Sequence, residues 1–175
     1  MMKIYTSLTL ILLTVMLCFS CKEEKKAQTV RKVQKVVEPK GPRAMGDNTV
    51  SRKVGWVGGI YTVEVKRHAD KRLAKASDGS HDYYDNKISV RILRQNGSEF
   101  FSREFTKADF KAKVDDRYYQ KGALLGIVFV RPEGTDLIFA ASVGNPDKSS
   151  DEYVPLVLKI SKLGTVTVTQ DEDLE

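Results

Sequence analysis

Alternating apolar and polar residues predict β-strands along most of the chain after residue 55. In "IYTVEVK" (60–66), Tyr61, Val63 and Val65 share one face and polar residues share the other, which is the pattern of a half-buried strand. The same alternation recurs in "EYVPLVLKIS" (152–161) and "TVTVTQ" (165–170). Because Pro155 lacks a backbone N–H, it is expected at a sheet edge or near a strand start.

A β-hairpin is predicted within "KISVRILRQNGSEFFSREF" (87–105). Asn96-Gly97 is the strongest short hairpin signal, because a two-residue turn of this type needs positive φ at both positions. In that register the cross-strand pairs are Arg94 with Glu99, Leu93 with Phe100, and Ile92 with Phe101.

Arg103 interrupts the apolar face of this hairpin. It falls opposite Val90, on the face that also carries Ile88, Ile92, Phe101 and Phe105. We expect either that Arg103 reaches the edge of the sheet or that a β-bulge changes the register.

A short helix is predicted after the hairpin. Thr106 suits the N-cap position, and Asp109 stands three residues later, as in a capping box. Phe105 and Phe110 have the spacing of a hydrophobic staple. The apolar spacing that follows indicates about three turns, ending near Asp116.

Two apolar runs, "ALLGIVFVR" (123–131) and "DLIFAASVG" (136–144), are joined by the turn segment "PEGT". Apolar residues in succession predict strands that are buried on both faces. With about seven short strands and one short helix, the fold is predicted to be mostly β, an antiparallel sandwich or a partly open barrel. This single β-rich domain is expected to span residues 47–175.

Residues 1–20 have the pattern of a signal peptide. A lysine near the N-terminus precedes an apolar run from Leu8 to Phe19, a length typical of secretion signals. A membrane-spanning helix needs about 20 apolar residues. We expect cleavage between Ser20 and Cys21.

The end of this run resembles the lipobox of bacterial lipoproteins, in which a small residue precedes an invariant cysteine. Cys18 stands where leucine is commonest in that motif. The resemblance implies that Cys21 becomes the N-terminus and carries diacylglycerol and a further acyl chain such as palmitate. Two or more acyl chains anchor a protein stably to a membrane, so we expect attachment to the bacterial envelope at the outer membrane. An ordinary signal peptide with an incidental cysteine is the alternative.

Residues 21–46 are predicted to be a flexible basic tether, because they carry too few apolar side chains to offset their ordering entropy. Residues 22–46 have a net charge of +5, whereas residues 47–175 hold 20 basic and 20 acidic residues. That balance removes the compositional reason to expect nucleic-acid binding. Lys22-Glu23-Glu24 resembles the export signal of surface lipoproteins in the Bacteroides group, which implies surface exposure, with a periplasm-facing position as the competitor.

Candidate metal ligands concentrate in "RHADKRLAKASDGSHDYYDN" (67–86), a polar stretch between two strands. Imidazole and carboxylate groups of this kind can bind metals, and the candidates are His68, Asp70, Asp78, His81, Asp82 and Asp85. No HExxH motif or calcium-loop spacing accompanies them. Both cysteines precede residue 22, so nothing after Cys21 can supply a thiolate. We favour a solvated loop with turn-stabilising residues, and expect neither a metal nor a cofactor.

Aromatic residues form a second candidate group, Trp56, Tyr83, Tyr84, Tyr118 and Tyr119. Exposed rings can stack on sugars or enter a partner's pocket, and Trp56, Tyr83 and Tyr84 are the candidates for ligand binding. The favoured interpretation places Trp56 and one tyrosine of each pair at the ends of the core.

Residues 55–160 resemble small uncharacterised lipoproteins of the Bacteroides group, a family of unknown function. The matching stretches are Tyr83-Tyr84-Asp85-Asn86, the Asn96-Gly97 hairpin and Phe105-Thr106-Lys107. The resemblance implies a bacterial envelope protein and supplies no catalytic residues.

The chain contains no G-x-S-x-G motif, P-loop or dinucleotide fingerprint. We therefore expect a non-catalytic binding or interaction domain whose partner is another envelope protein or a glycan. A metal-dependent or hydrolytic enzyme using the Arg67–Asn86 loop is the alternative, and a structural or assembly role is the third possibility.

Overall fold

The computed structural model describes residues 41–171. Cys21, the signal peptide, most of the tether and the last four residues lie outside the described residues. The strands are β1 (Asn48–Trp56), β2 (Gly59–Ala69), β3 (Ala76–Ser77), β4 (Asp82–Tyr83), β5 (Asn86–Arg94), β6 (Glu99–Phe105), β7 (Ala123–Glu133), β8 (Asp136–Gly144), β9 (Tyr153–Ser161) and β10 (Val166–Gln170). A 3₁₀ helix (Lys107–Lys113) and the helix α1 (Asp116–Lys121) lie between β6 and β7.

These strands form two four-stranded sheets and a small ribbon. The first sheet has the order β1-β2-β5-β6, the second has the order β10-β9-β8-β7, and β3 pairs with β4. Every neighbouring pair of strands is antiparallel. The two sheets stay separate and share a core, which confirms the predicted antiparallel sandwich.

The core lies between the sheets and takes side chains from both. Val63, Val90 and Ile92 come from the first sheet, and Phe139 and Leu158 come from the second. Burial of such side chains is the main stabilising contribution to folding.

A second, smaller cluster consists of Met45, Ala76, Tyr83 and Ala123. Met45 is only 5% exposed, and Arg43 pairs with Tyr83 in a parallel bridge. Packing therefore begins before residue 47, where the sequence placed the end of the tether.

The alternating strands agree with their predicted faces. Val63 and Val65 are buried on β2, and Val166 and Val168 pack against the core from β10. Pro155 is the third residue of β9, an inner strand, so the strand-start alternative holds for it.

β7 differs from its prediction. Residues 123–131 were expected to be buried on both faces, but Val128 is 61% exposed and Val130 is 43% exposed. β7 is the edge strand of its sheet, and only its inner face packs on the core. β8, in the middle of the sheet, fits the prediction better, because Leu137, Ile138 and Phe139 are all buried.

The hairpin lies where the sequence placed it, but its turn is of another type. The loop has three residues, with the Arg94 N–H donating to the Ser98 carbonyl at 2.8 Å and the Gly97 N–H donating to the Arg94 carbonyl at 2.8 Å. Gly97 has a φ of 82°, whereas Asn96 does not have positive φ. A turn followed by a glycine in the left-handed region is the usual three-residue hairpin loop.

The longer loop changes the pairing near the turn. Leu93 pairs with Glu99 rather than Phe100, and a bulge follows, after which Ile92 pairs with Phe101 as predicted. The predicted cross-strand pair of Glu99 with Arg94 is therefore wrong, and the Glu99 carboxylate accepts instead from Arg91 at 3.3 Å.

Arg103 keeps its predicted position opposite Val90. Because β6 is an edge strand, the guanidinium leaves the core face. It donates to Asp109 at 2.7 Å and lies 4.9 Å from the centre of the Phe105 ring. Of the two sequence alternatives, reaching the sheet edge explains Arg103.

The predicted helix is shorter and tighter than expected. It is a 3₁₀ helix that ends at Lys113, and the Thr106 N–H donates to Asp109 at 2.8 Å, as in the predicted capping box. The Phe105 and Phe110 rings lie 6.3 Å apart, which confirms the staple. The helix α1 was not predicted. Neither described helix is long and apolar enough to cross a membrane.

β1 was also not predicted, and the described residues hold ten strands rather than about seven. β1 pairs with β2 along all of its nine residues and has no second neighbour in its sheet. It forms one wall of a cleft between the two sheets.

Candidate functional site

The acids of the 67–86 loop are held by separate internal partners. Asp70 accepts from the Arg72 guanidinium at 2.7 and 3.0 Å, and its carboxylate lies 3.6 Å from the Lys87 ammonium. The hydrogen bond from the Arg72 side chain is the main reason that the pKa of Asp70 lies well below its usual value. Asp82 is exposed and lies 3.9 Å from Lys75.

Asp78 organises the turn between β3 and β4. It accepts the backbone N–H groups of Ser80 and His81 at 2.7 Å each and the Tyr83 hydroxyl at 2.9 Å. Burial alone would raise the pKa of Asp78, but these donors and the His81 ring together lower it from 3.8 to about 2. Burial and the bond to Asp78 raise the pKa of the Tyr83 hydroxyl.

The Asp78 carboxylate should contribute a pH-dependent part of the stability. Because its pKa is lowered in the folded chain, the contribution is present above pH of about 4 and is lost as the pH falls toward about 2. Asp78→Asn should be less stable than the wild type at pH 7, and the gap should narrow over that window. Urea midpoints at a series of pH values measure the gap.

Asp82→Asn is the control for this experiment, because Asp82 is exposed and has only a distant lysine. It should change the urea midpoint little at any pH. A gap between wild type and Asp78→Asn that stays constant down to pH of about 2 would show that the charge of Asp78 plays no part.

Asp85 and Lys107 form a buried ion pair. Asp85 Oδ2 lies 3.3 Å from Lys107 Nζ, and the two side chains are 3% and 8% exposed. Asp85 Oδ1 accepts the N–H groups of Asn86 at 2.8 Å and Leu124 at 2.9 Å. Lys107 also donates to the Gly122 carbonyl at 2.5 Å. The pair thus joins the start of β5, the 3₁₀ helix and the start of β7.

The metal candidates do not converge. The side chains of Asp78 and His81 lie 3.4 Å apart, but the carboxylates of Asp70 and Asp85 have other partners. His68 lies on β2, paired with Lys87 of β5. Within residues 41–171, no group of three or more His, Cys, Asp or Glu side chains has a geometry that would hold a metal ion.

The candidate aromatic residues also lie in different places. Trp56 is 4% exposed, and its ring meets Tyr61 and Phe100 edge-on at 5.1 and 5.4 Å. Tyr83 is 6% exposed and belongs to the smaller cluster. Tyr84 is half-buried, with the Lys71 ammonium 5.6 Å from its ring centre. Trp56 and Tyr83 therefore occupy core positions, as the favoured interpretation had them.

A cleft lies between the edge strands β1 and β7, which belong to different sheets. Its volume is about 110 Å³. The buried side chains of Val63, Val65, Ile127 and Phe129 line it, with Val50 and Val128 exposed at its rim. We call this feature the β1–β7 cleft.

The polar residues of the β1–β7 cleft are Asn48, Arg52 and Arg67, and no acidic residue lines it in the described part of the chain. Arg67 donates to the Leu125 carbonyl at 2.7 Å, which ties β2 to β7. Arg52 is exposed. The apolar lining lies beside two guanidinium groups whose positive charges face no carboxylate among the described residues of the cleft. This combination suits a ligand that has an apolar group and an anionic group.

Sequence reasoning did not find the β1–β7 cleft. Its residues come from 48–67 and 126–129, which meet only because the two sheets face each other. The one local signal is the alternation of Asn48, Val50 and Arg52, a strand pattern with a single exposed apolar residue.

The fold and the cleft define a small antiparallel β-sandwich domain with an open lateral groove. The chain belongs to the family DUF4738, a domain of unknown function, whose model matches residues 27–168. A comparison with curated proteins gave no match. An uncharacterised domain family was expected from the sequence. The match begins within the segment that was assigned to the tether.

Proposed function

We propose that this protein is a lipid-anchored bacterial envelope protein of the lipoprotein type, and that its β-sandwich is a non-catalytic domain that binds another envelope protein. The β1–β7 cleft is the observation that carries the binding part of this proposal. It combines an apolar floor, two arginines and the free edge of β1, which are features of recognition sites.

A protein partner is better supported than a glycan. Sugar binding by ring stacking needs exposed aromatic faces, and Trp56 and Tyr83 are buried. The apolar part of the cleft lining is aliphatic except for Phe129, its one aromatic residue. A site of that composition suits an apolar side chain of a partner.

The alternative of a metal-dependent or hydrolytic enzyme has less support. The carboxylates of Asp70, Asp78 and Asp85 each accept hydrogen bonds from groups within the fold. Their oxygen atoms therefore stabilise turns and ion pairs. Groups that act as general bases need access to a substrate proton. A structural role in an envelope assembly is compatible with the binding proposal and would use the same cleft.

Cys21→Ala should release the protein from the membrane fraction. The acyl chains on that residue supply the anchor in this proposal, since each buried methylene contributes about 0.8 kcal/mol. Fractionation of cells that express the variant, with detection by immunoblot, measures the release. Cys18→Ala is the matched control and should stay in the membrane fraction. Equal membrane fractions for the two variants would contradict lipid anchoring.

A photo-reactive amino acid at position 128 should form an adduct with an envelope protein in living cells. Val128 is 61% exposed at the rim of the cleft, so a bound partner would lie within reach. Immunoblots after irradiation reveal the adduct as a band of higher mass. The control position is Leu163, 84% exposed in the turn between β9 and β10. An adduct at both positions, or at neither, would refute the cleft as the binding site.

A further inference from the structure

We infer that the partner binds as an extended polypeptide segment that adds to the free edge of β1. The segment places one apolar side chain in the β1–β7 cleft and a carboxylate, two residues away, against Arg52. This inference rests on the proposed function, because it names the class of partner for the same cleft.

The free edge of β1 supplies the backbone groups for such an addition. β1 pairs with β2 through all nine residues and is the outermost strand of its sheet within residues 41–171. Alternate N–H and C=O groups of an edge strand point away from its one neighbour. Extended peptides recognise such edges by backbone hydrogen bonds, and pockets for alternate side chains supply specificity.

The register of β1 specifies which side chains of the segment matter. Asn48, Val50 and Arg52 all line the cleft, since residues two apart share one face of a strand. A residue of the added strand lies on the same face as the β1 residue directly opposite. The residue opposite Val50 therefore enters the cleft, and the residue opposite Arg52 meets its guanidinium.

The cleft has the size for one apolar side chain. Its volume is about 110 Å³, and an engineered apolar cavity of about 150 Å³ in another protein accommodates benzene. The walls are buried valine, isoleucine and phenylalanine side chains, so an aliphatic group gains contact on most sides. A branched residue such as leucine or valine fits this description.

Charge favours an acidic segment of another protein over a second copy of this chain. β1 carries Arg52 and Lys53 and no acidic residue. Antiparallel pairing of two β1 strands would bring four cations together without a carboxylate, and like charges on facing strands are destabilising. A segment with a glutamate or aspartate removes that repulsion and offers Arg52 a charge-assisted hydrogen bond.

Charges on edge strands also serve a simpler purpose, since they prevent unwanted pairing between molecules. If that were their only role, Arg52 and Lys53 would be equivalent. They point to opposite faces of β1, because they are adjacent residues of one strand. If a segment adds to β1 with a carboxylate against Arg52, then Arg52 contributes more to the binding affinity than Lys53 does. The experiment measures this difference in affinity.

The test uses three blocked nine-residue peptides and isothermal titration of the purified full-length protein at low salt. The first peptide is built from threonine and glutamine, with leucine and glutamate two positions apart. The second has lysine in place of glutamate. The third is the first peptide with N-methyl groups on alternate residues, which removes the donors for strand pairing. Sodium dodecanoate serves as a probe for an acyl ligand.

The first peptide should bind, and Arg52→Glu should weaken it roughly tenfold or more. The second peptide should bind Arg52→Glu better than it binds the wild type, as expected of a reversed charge pair. The third peptide should not bind. Lys53→Glu is the matched control, with the same charge change on the opposite face, and should weaken the first peptide less than about threefold. Thermal melting verifies that each variant is folded.

Equal losses in Arg52→Glu and Lys53→Glu would overturn the inference in favour of non-specific charge attraction. Binding of the N-methylated peptide would overturn strand addition, and binding of dodecanoate alone would replace the peptide by an acyl ligand. If no peptide binds while the adduct at position 128 still forms, the class of partner is wrong and the proposed function stands. If the adduct is absent as well, the proposed binding function and the inferred class of partner are both wrong.

Discussion

Lys107→Met should lower the free energy of unfolding by about 3–5 kcal/mol, the loss typical of a buried charge left without its partner. Lys107 Nζ lies 3.3 Å from Asp85 Oδ2, and both side chains are almost fully buried. Removing the ammonium leaves the carboxylate in a poorly solvated position and also frees the Gly122 carbonyl. Urea denaturation followed by circular dichroism measures the loss.

The double variant Asp85→Asn/Lys107→Met should be more stable than Lys107→Met alone. Neither charge then remains buried by itself, and the amide oxygen at position 85 still accepts the two backbone N–H groups. A coupling free energy of about 1–3 kcal/mol is expected for groups in direct contact. Lys113→Met, at an exposed position on the same 3₁₀ helix, should change the stability by less than about 0.5 kcal/mol. Equal stabilities of Lys107→Met and Lys113→Met would contradict the role of the ion pair.

This ion pair gives a physical meaning to two stretches that stood out in the sequence. Asp85 and Asn86 end the Tyr-Tyr-Asp-Asn stretch, and Lys107 begins the 3₁₀ helix after Phe105 and Thr106. In the fold the two stretches meet at the start of β7. They hold together parts of the chain that belong to both sheets, which is a structural reason for these residues.

The sequence predicted strands best where one face is buried and the other is solvated. β2 has Val63 and Val65 inward and polar residues between them, so period-two alternation is visible. β1 is also a strand of a four-stranded sheet, but five of its nine residues are polar and only Trp56 is buried. An edge strand that packs lightly on the core leaves a weak pattern.

The helices likewise were predicted only where a side chain is buried in the core. The 3₁₀ helix was found because Thr106 and Asp109 form a capping box and Phe110 reaches the core. Helix α1 has no buried residue, so no apolar periodicity marks it. The predicted helix ended near Asp116, about three residues beyond the end of the 3₁₀ helix and at the first residue of α1.

The hairpin illustrates why local signals place a turn more reliably than they define its type. Asn96-Gly97 lies in the loop as predicted, but one added loop residue moves the first pair to Arg94 and Ser98. The bulge at Phe100 then restores the register, with Ile92 opposite Phe101. Both arrangements put Ile92 and Phe101 on the core face, so these two residues did not distinguish them. Phe100, which the predicted register placed on the other face, packs against Trp56 in the fold.

The candidate site was beyond sequence reasoning for a different reason. Val63, Val65, Ile127 and Phe129 look like ordinary core residues in the sequence, and in the fold they are buried. The cleft exists because β1 and β7, edge strands of the two facing sheets, leave a space between them, and these four residues form its floor. That space depends on the strand order β1-β2-β5-β6 and β10-β9-β8-β7, which no short motif encodes.

Phe139→Ala should lower the free energy of unfolding by about 3–5 kcal/mol, the usual cost of truncating a fully buried phenylalanine. Phe139 is 0% exposed in the middle of β8, with Phe129 of β7 opposite and the two ring centres 5.4 Å apart. The alanine variant loses the buried area of the ring, the edge-on contact with Phe129, and the packing of Leu158 on β9.

Phe139→Leu should recover more than half of that loss, because it fills most of the volume without a polar atom. Leu163→Ala is the exposed control, at a turn residue that is 84% exposed, and should leave the free energy of unfolding within about 0.5 kcal/mol of the wild type. Because Phe129 lines both the core and the β1–β7 cleft, Phe139→Ala should also weaken peptide binding at the cleft. A variant with wild-type stability would mean that the two sheets do not share the core between them.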